Sequence, residues 1–503
     1  MSMEQSGGGE VAAAKRAKAS DDAAGDGGED RLSALPDDVL VLILLRLSTA
    51  DAARTSFLSR RWRRVWTLLP VLQFHVALDP HILRDVLSRS EVPLRRLLVD
   101  DPDISPQSLA AWLPAAARRV SGELNVYNFV SGRRAADSEA EASQRGTFEL
   151  PCFAKATSIS LDLGFLGISV PPAGVFARLT DLSLSGVRFH GPGELEDAVS
   201  SRRCPCLQKL SIRNVWGLDS VTINSESLQM LDMKYLRGVQ QVTVVAPALS
   251  DLSLLQCFLR DMKQPIVNIS APQLKLLTWA DAYDPSSVRL GNIEHLQMFN
   301  TFFFVYGIDD STHNHACLML LPQFKSIDRL ILSLGYLPKM DNLTYLMEDM
   351  TTLPDVTTLQ LRVLAEGHAF GACSFHVLRI CSGIKRLVLV LSSRWDCKEQ
   401  TVCSSDCICD QPTNWKTDEL LLYHLQELEI EGYRGSEHET AFVKALLNWV
   451  TVLKTMTVTF KCSVTESKAK ELLQIFKSLS RPGLRMKFYI YEKFRKVPYA
   501  PEG

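Results

Sequence analysis

Residues 31–66 read RLSALPDDVLVLILLRLSTADAARTSFLSRRWRRVW, and this stretch decides how the N-terminal part of the chain is interpreted. Pro36 followed by two aspartates is typical of a helix N-terminus, where proline's missing N–H costs nothing and negative charge is favourable. Apolar residues then recur at three- and four-residue spacing and predict one amphipathic helix: Val39, Leu40, Ile43, Leu44 and Leu47. A piece of about 40 residues rarely buries its apolar side chains without a metal, disulfides or a partner, so we expect a docking surface here.

The rest of the stretch predicts a second short helical part. Polar residues 48–51 interrupt the first helix, with Ser48 or Thr49 as the next N-cap. Leu58, Trp62 and Trp66 then share one face. The alternative is an ordinary helical hairpin packed on the rest of the protein.

The whole pattern resembles an F-box. The resemblance implies that the module binds a Skp-type adaptor and, through it, a cullin–RING ubiquitin ligase. By motif position, eight residues would face the adaptor or brace that face: Leu35, Pro36, Val39, Leu40, Ile43, Leu47, Leu58 and Trp62.

Composition restricts the other function classes. A chain of 503 residues is too long for one ordinary core, so several domains or a repeat array are expected. The net charge of −2 argues against a general nucleic-acid or membrane binder, and the arginines flanking Trp62 fit the solvated side of a short helix. Residues 1–30 lack the apolar core of a signal peptide and are expected to form a disordered tail. With twelve mostly scattered cysteines, the sequence predicts a cytoplasmic or nuclear protein, or both.

A strand-like unit with apolar residues at positions 1, 4 and 6 recurs along the chain. Its clearest copies are 19 to 28 residues apart and begin at Leu179, Leu207, Leu228, Leu249, Leu274 and Ile293. Further copies begin at Leu94, Ala156, Ile327, Val356, Ile384, Leu425 and Leu453. This spacing fits leucine-rich repeats, whose period is about 20–29 residues, and each unit needs a neighbour to cover its apolar side. The site that usually carries Asn or Cys conforms only at Cys257, so we expect an irregular solenoid; the alternative is a series of unrelated α/β units.

The C-terminal part departs from the repeat. Ser436 and Glu439 form a capping-box pattern, a second helix is predicted at 466–479, and alternation from Leu484 predicts a terminal strand. Residues 425–447 resemble the FBD module of plant F-box/leucine-rich-repeat proteins. We expect this part to cap the open end of the repeat stack.

The predicted fold class is therefore α/β, with a small helical F-box, an irregular leucine-rich-repeat solenoid and an FBD-like cap. The expected bounds are a tail at 1–30, the F-box at 31–70, the repeats at 90–414, the cap at 415–492 and a second tail at 493–503.

A cysteine-rich segment could hold zinc. Cys397, Cys403, Cys407 and Cys409 lie within thirteen residues, but the Cys-Ile-Cys spacing is tight and no histidine is near in the sequence. We therefore expect a surface loop with free thiols or a labile disulfide, and no metal or other cofactor. The sequence also lacks an interpretable catalytic motif, so we expect no enzyme activity.

The resemblance and the repeats together predict a substrate-recognition subunit of an SCF-type ubiquitin ligase, whose repeats bind a target protein. Strand alternation places the expected target-binding side chains on the face away from the core: Lys209, Arg213, Lys234, Gln297, Phe299, Arg362 and Arg386. Plain solvated strand is the alternative for each of them. Two other functions remain open: a hormone-sensing F-box receptor with a small-molecule pocket, and an F-box scaffold without ubiquitin transfer.

Overall fold

The structure is a computed structural model of the full chain. The residues it describes are 32, 34–75, 79–128, 145–171, 174–191, 193–258, 264–291, 293, 295–308, 312–337, 340, 342–392, 407–492 and 495–499. The predicted tail at 1–30 lies outside these residues, as do Cys397 and Cys403.

The N-terminal module consists of short helices that the capping residues delimit. These are α1 (Asp37–Leu44), α2 (Thr49–Arg54) and α3 (Trp62–Val65), and 3-10 turns follow α2 and α3. The Ser48 hydroxyl accepts a hydrogen bond from the Asp51 amide at 3.1 Å, so Ser48 is the N-cap of α2.

Helices in the remainder of the described chain cover the strands or connect them. They are α4 (Pro80–Arg89), α5 (Pro106–Arg119), α6 (Glu194–Val199), α7 (Thr312–Leu320), α8 (Gly371–Ile380), α9 (Glu437–Trp449) and α10 (Glu466–Ser478). Among the residues that the structure describes, no helix combines the length and the apolar composition of a bilayer-spanning segment.

The strands are mostly short and follow one another at repeat spacing. In chain order they are β1 (Val71–Phe74), β2 (Leu94–Asp101), β3 (Val120–Asn128), β4 (Thr147–Glu149), β5 (Ser158–Ser169), β6 (Asp181–Arg188), β7 (Lys209–Arg213), β8 (Ser220–Asn224), β9 (Met230–Lys234), β10 (Gln241–Val245), β11 (Asp251–Leu255), β12 (Ile266–Ser270), β13 (Leu276–Ala280), β14 (Val288–Arg289), β15 (Met298–Phe304), β16 (Tyr306–Gly307), β17 (Ser326–Gly335), β18 (Thr344–Tyr345), β19 (Asp355–Leu364), β20 (Arg386–Ser392), β21 (Glu427–Tyr433), β22 (Thr455–Phe460), β23 (Arg485–Glu492) and β24 (Arg495–Pro498).

One 18-stranded sheet runs through the described chain. Its order is β1-β2-β3-β5-β6-β7-β9-β11-β13-β15-β17-β19-β20-β21-β22-β23-β24, with β4 paired to the end of β5. These pairs are parallel except for β23 with β24. The sheet therefore begins before residue 90 and continues through the C-terminal part without a break.

The strand pattern confirms the α/β repeat fold. Positions 4 and 6 of the units are buried, as in Leu210 and Ile212 of β7 or Leu252 and Leu254 of β11. In the middle of the array the return segment of each repeat is itself a strand, and β8, β10, β12 and β14 form a second parallel sheet. Buried apolar side chains of the N-terminal module, the repeats and the C-terminal part belong to one core cluster.

Two glycines shape the backbone of the C-terminal part: Gly432 lies in β21, where the pairing with β22 shifts register, and Gly435 lies in the connection from β21 to α9. Gly432 and Gly435 both have positive φ, which side chains with a Cβ rarely adopt. A Cβ at Gly432 would lie 2.3 Å from the Leu391 carbonyl oxygen of the neighbouring strand. The predicted capping box is present, and the Glu439 carboxylate also accepts hydrogen bonds from the Arg434 and Gly435 amides at 2.9 and 2.8 Å.

One predicted repeat unit was placed in the wrong frame. Phe299, expected on the exposed face, is fully buried, and it pairs across the sheet with Leu277 of the preceding unit. The true unit begins at Leu296, three residues later than expected, so Phe299 and Thr301 occupy positions 4 and 6. Phe299 therefore cannot contact a target protein.

Candidate protein-docking surfaces

The N-terminal module exposes an unusual number of apolar side chains. Six of them lie between residues 42 and 58, and we call them the exposed apolar set: Leu42, Ile43, Leu45, Leu47, Phe57 and Leu58. Phe57 is 86% and Leu58 69% accessible to solvent. Single exposed apolar residues are normal on a protein surface, but a concentration of them marks an interaction site.

The structure separates the eight predicted adaptor-facing residues into two groups. Ile43, Leu47 and Leu58 belong to the exposed apolar set. Pro36, which directly precedes α1, is also exposed. Leu40 and Trp62, at 0% and 7% exposure, are sealed inside the chain and brace the surface from below, so neither is available to contact an adaptor.

The last two of the eight are intermediate. Leu35 is half-buried and packs against the core, and Val39 is partly exposed.

Sequence reasoning missed Leu42, Leu45 and Phe57. Residues 39–45 form an unbroken apolar run, which is wider than one helical stripe and so leaves apolar side chains on a second face. The surplus of apolar residues over one helical stripe was therefore the sequence feature that could have predicted the exposure of Leu42 and Leu45. Phe57 follows α2 in a 3-10 turn, where helical periodicity gives no information about its direction.

Polar contacts fix the module to itself and to the sheet. Arg61 Nη2 lies 2.7 Å from the Asp37 carboxylate, and Arg61 also donates to the Leu35 carbonyl, which holds the start of α1 against the segment before α3. The Gln73 amide of β1 donates to the Thr49 hydroxyl at 2.8 Å. The exposed apolar set is therefore presented by a module packed onto the first strand of the array.

The second candidate surface is the open face of the large sheet. Five of the predicted target-binding residues lie on it with at least partial exposure: Lys209, Arg213, Lys234, Arg362 and Arg386. Gln297 is exposed but precedes β15 at position 2 of the corrected unit, so strand alternation no longer places it on the open face. The charges of the five are largely paired within the sheet. Arg213 Nη2 and Lys234 Nζ lie 2.6 and 2.9 Å from the Asp232 carboxylate oxygens.

These pairs set the local electrostatics. Burial by itself would raise the pKa of Asp232, but hydrogen bonds and positive charges from Lys234 and Arg213 outweigh it and lower the pKa below its usual 3.8. Arg386 contacts Glu429 at 2.8 Å and Glu427 at 3.4 Å on the next strand. The open face is a ladder of paired charges, which favours selection of a partner by charge arrangement over general attraction.

The cysteine-rich segment also differs from expectation. Cys407 and Cys409 are described, and the fold brings His368 to them from the loop after β19, although no histidine is close in the sequence. These three residues are the group of metal-type donors that the described part of the chain brings together.

Comparison with known proteins agrees with this organisation. Residues 32–74 match the F-box domain model, and residues 109–302 match the model for LRR repeats of FBD-associated F-box protein At5g56370.

Relatives from Arabidopsis thaliana give the same result. The F-box/FBD/LRR-repeat protein At4g03220 is 27% identical over 50% of this chain and 51% of its own length. FBD-associated F-box protein At4g10400 is 28% identical over 45% of this chain and 50% of its own length. F-box protein At4g09920 is 30% identical over 36% and 58%.

The chain thus spans about half the length of the first two of these relatives. F-box domains generally bind Skp-type adaptors, and F-box/leucine-rich-repeat proteins are generally non-catalytic substrate-recognition proteins. The matches and the fold agree: the chain carries an F-box match followed by leucine-rich repeats, and it is similar to F-box/FBD/leucine-rich-repeat proteins of Arabidopsis thaliana.

Proposed function

We propose that this chain is the substrate-recognition subunit of an SCF-type cullin–RING ubiquitin ligase. Its exposed apolar set would dock a Skp-type adaptor, and the open face of its sheet would bind a target protein. The observation that carries the proposal is the exposed apolar set itself. Its six large apolar side chains are exposed to solvent and lie in a 17-residue stretch inside the F-box match.

Energetics support docking. Burying an exposed Leu or Phe side chain contributes about 1.5–3 kcal/mol, so leaving six of them in water is a substantial cost that a partner can remove. Interfaces draw most of their affinity from a few such side chains, and aromatic residues are prominent among them. Phe57, the most exposed large apolar residue in the described chain, is therefore the expected centre of the interface.

The packing of the module on the array supports a positional mechanism. Arg61 fixes α1, and the Thr49–Gln73 hydrogen bond joins the module to β1. The proposed adaptor surface and the proposed target surface therefore lie on parts of the chain that share one continuous core. A target held on the array is then kept near the conjugating enzyme, which raises its effective concentration without any chemistry by this chain. The subunit itself supplies binding and orientation.

The test is affinity capture of the tagged full chain from plant cells, with adaptor and cullin measured by immunoblot. The variant Phe57→Ala, Leu58→Ala should lose both adaptor and cullin. The matched control Leu421→Ala, Tyr423→Ala removes two exposed apolar side chains from the region before β21 and should keep both.

Two outcomes would contradict the proposal. If the Phe57/Leu58 variant captures as much adaptor as the wild type, the docking assignment is wrong. If the wild type captures adaptor without cullin, the chain serves an assembly other than a ubiquitin ligase.

A further inference from the structure

A small cluster of sulfur and nitrogen donors lies at the edge of the large sheet where its strands end. It consists of His368, Cys407 and Cys409, whose donor atoms all lie within 4.8 Å of one another. His368 Nδ1 and Cys407 Sγ are 3.4 Å apart. Neither the F-box surface nor the open face of the sheet contains these residues.

The fold brings together parts of the chain that are about forty residues apart. His368 lies in the loop between β19 and α8, and the two cysteines follow β20, the strand paired with β19. The carboxyl ends of neighbouring parallel strands meet at one edge, and the donor distances place Cys407 and Cys409 beside the loop that follows β19. Cys409 is 3% exposed, and Cys407 and His368 are partly exposed, which leaves the cluster accessible to a small ion.

Surrounding contacts hold the donors in place. The ring of Tyr336 stacks on His368, with centroids 5.9 Å apart and planes inclined by 14°. The Tyr306 hydroxyl lies 3.0 Å from the Ile408 carbonyl oxygen and 2.8 Å from that of Gln411, and donates to one of them at a time. The backbone between and after the two cysteines is therefore anchored to a separate strand.

We propose that His368, Cys407 and Cys409 form a binding site for one Zn²⁺ ion. Two thiolates and an imidazole are the donor types that zinc selects, and they are poor ligands for magnesium or calcium. Donors bound to a tetrahedral zinc at about 2.1 Å for nitrogen and 2.3 Å for sulfur are about 3.6 Å apart. The 3.4 Å separation of the His368 and Cys407 donors is close to that value.

A second contact fits the same interpretation. The Ala369 amide donates a hydrogen bond to Cys409 Sγ at 3.3 Å. Hydrogen bonds from outside the ligand shell orient metal ligands, and an N–H donor stabilises a thiolate rather than a thiol. Ala369 directly follows His368, so one loop supplies both a ligand and the group that orients another.

Binding would have defined chemical consequences. Zn²⁺ requires deprotonated thiols and a neutral imidazole, so loading releases the two thiol protons to solvent, and three protein donors leave a fourth position that water can fill. The ion would join the segment after β20 to the loop after β19. Because the unfolded chain does not preform the site, binding should raise the stability of the folded state, by an amount that grows with the logarithm of the free zinc concentration once that concentration exceeds Kd.

The test uses the full-length chain purified from zinc-supplemented expression, with zinc measured by plasma mass spectrometry after gel filtration. We expect about one zinc per chain in the wild type and its loss in Cys407→Ser, Cys409→Ser and His368→Gln. Cys462→Ser is the matched control, because Cys462 is exposed and belongs to no cluster of metal-type donors among the described residues, and it should keep the zinc.

A second measurement on the wild type covers the case in which variants fold poorly. Zinc is removed with a chelator and replaced by Co²⁺, which should give thiolate-to-cobalt charge-transfer absorption and an intense visible band typical of tetrahedral coordination. Retention of zinc in the Cys407 and Cys409 variants would show adventitious zinc only. A zinc-free wild type whose cobalt spectrum is that of the aqueous ion, or whose two thiols are found joined in a disulfide, would overturn the proposal.

Discussion

Replacing Phe57 by alanine tests the docking surface at its most exposed point. Complete burial of a Phe side chain is worth about 1.5–3 kcal/mol, and 86% of Phe57 is accessible in the free chain. If the adaptor covers it, Phe57→Ala should weaken binding by about 1.3–2.6 kcal/mol, which is roughly a 10- to 80-fold increase in Kd. Phe57 has little burial to lose within its own chain, so the melting temperature should change little.

The assay is titration calorimetry of the purified chain with a Skp-type adaptor, accompanied by thermal unfolding of each variant. Ile308→Ala is the matched control, since Ile308 is 75% exposed but lies between β16 and α7, far along the chain from the module. A change in Kd of less than twofold for Phe57→Ala, with the fold intact, would refute the assignment of Phe57 to the interface. An equal weakening by Ile308→Ala would refute the location of the surface.

Three further predictions concern the residues that support these surfaces. Leu40→Ala should lower the free energy of unfolding by about 2–5 kcal/mol in denaturant titrations, because Leu40 is fully buried, and adaptor binding should weaken only as far as the module unfolds. Asp232, whose folded pKa lies below 3.8, should stabilise the fold above that pH and lose its contribution as pH falls through the folded value, so the stability difference between wild type and Asp232→Asn should shrink in acid. Gly432→Ala should destabilise the chain by about 1–3 kcal/mol in thermal unfolding, because its Cβ would collide with the Leu391 carbonyl oxygen at a positive φ.

Each of these has a distinct contrary result. A Leu40→Ala chain with unchanged stability and lost adaptor binding would mean that Leu40 reaches the partner directly. A constant stability difference between pH 7 and pH 3 would mean that the ion pairs of Asp232 do not form in solution. An unchanged unfolding temperature for Gly432→Ala would mean that the irregular end of β21 can relax without loss.

The strand positions of the repeats were predictable because their chemistry is repetitive. Apolar residues at positions 4 and 6 face one way on a strand, so Leu210 and Ile212 could be assigned inward from the sequence alone. The predicted frame of the unit near residue 296 was wrong because Leu296, which occupies position 1, also has the spacing expected of position 4. Thr301, a polar residue at a buried position 6, concealed the correct frame.

The strands of the second sheet carry an alternating apolar pattern in the sequence, from which they could have been predicted. Val221 and Ile223, Val242 and Val244, and the corresponding pair in β12 alternate with polar residues and are buried. This alternation predicts strands in the return segments, where leucine-rich repeats commonly carry a helix or a 3-10 turn.

Other features depend on packing and could not be read from the sequence. Apolar side chains surround much of α1, so periodicity cannot decide which face the chain covers itself and which it leaves open; the structure buries Leu40 and exposes Leu42. His368 and Cys409 are about forty residues apart along the chain, and only the folded structure brings their donor atoms within 4.8 Å of one another.

The most direct test of the central claim is amide hydrogen exchange of the full chain with and without a saturating amount of Skp-type adaptor. If the exposed apolar set is the docking surface, exchange should slow on binding in peptides covering residues 41–58. Peptides from the open face of the sheet, such as those covering β7 and β9, should be unchanged. Unaltered exchange in 41–58 despite complete binding, or protection confined to the repeat strands, would contradict the claim.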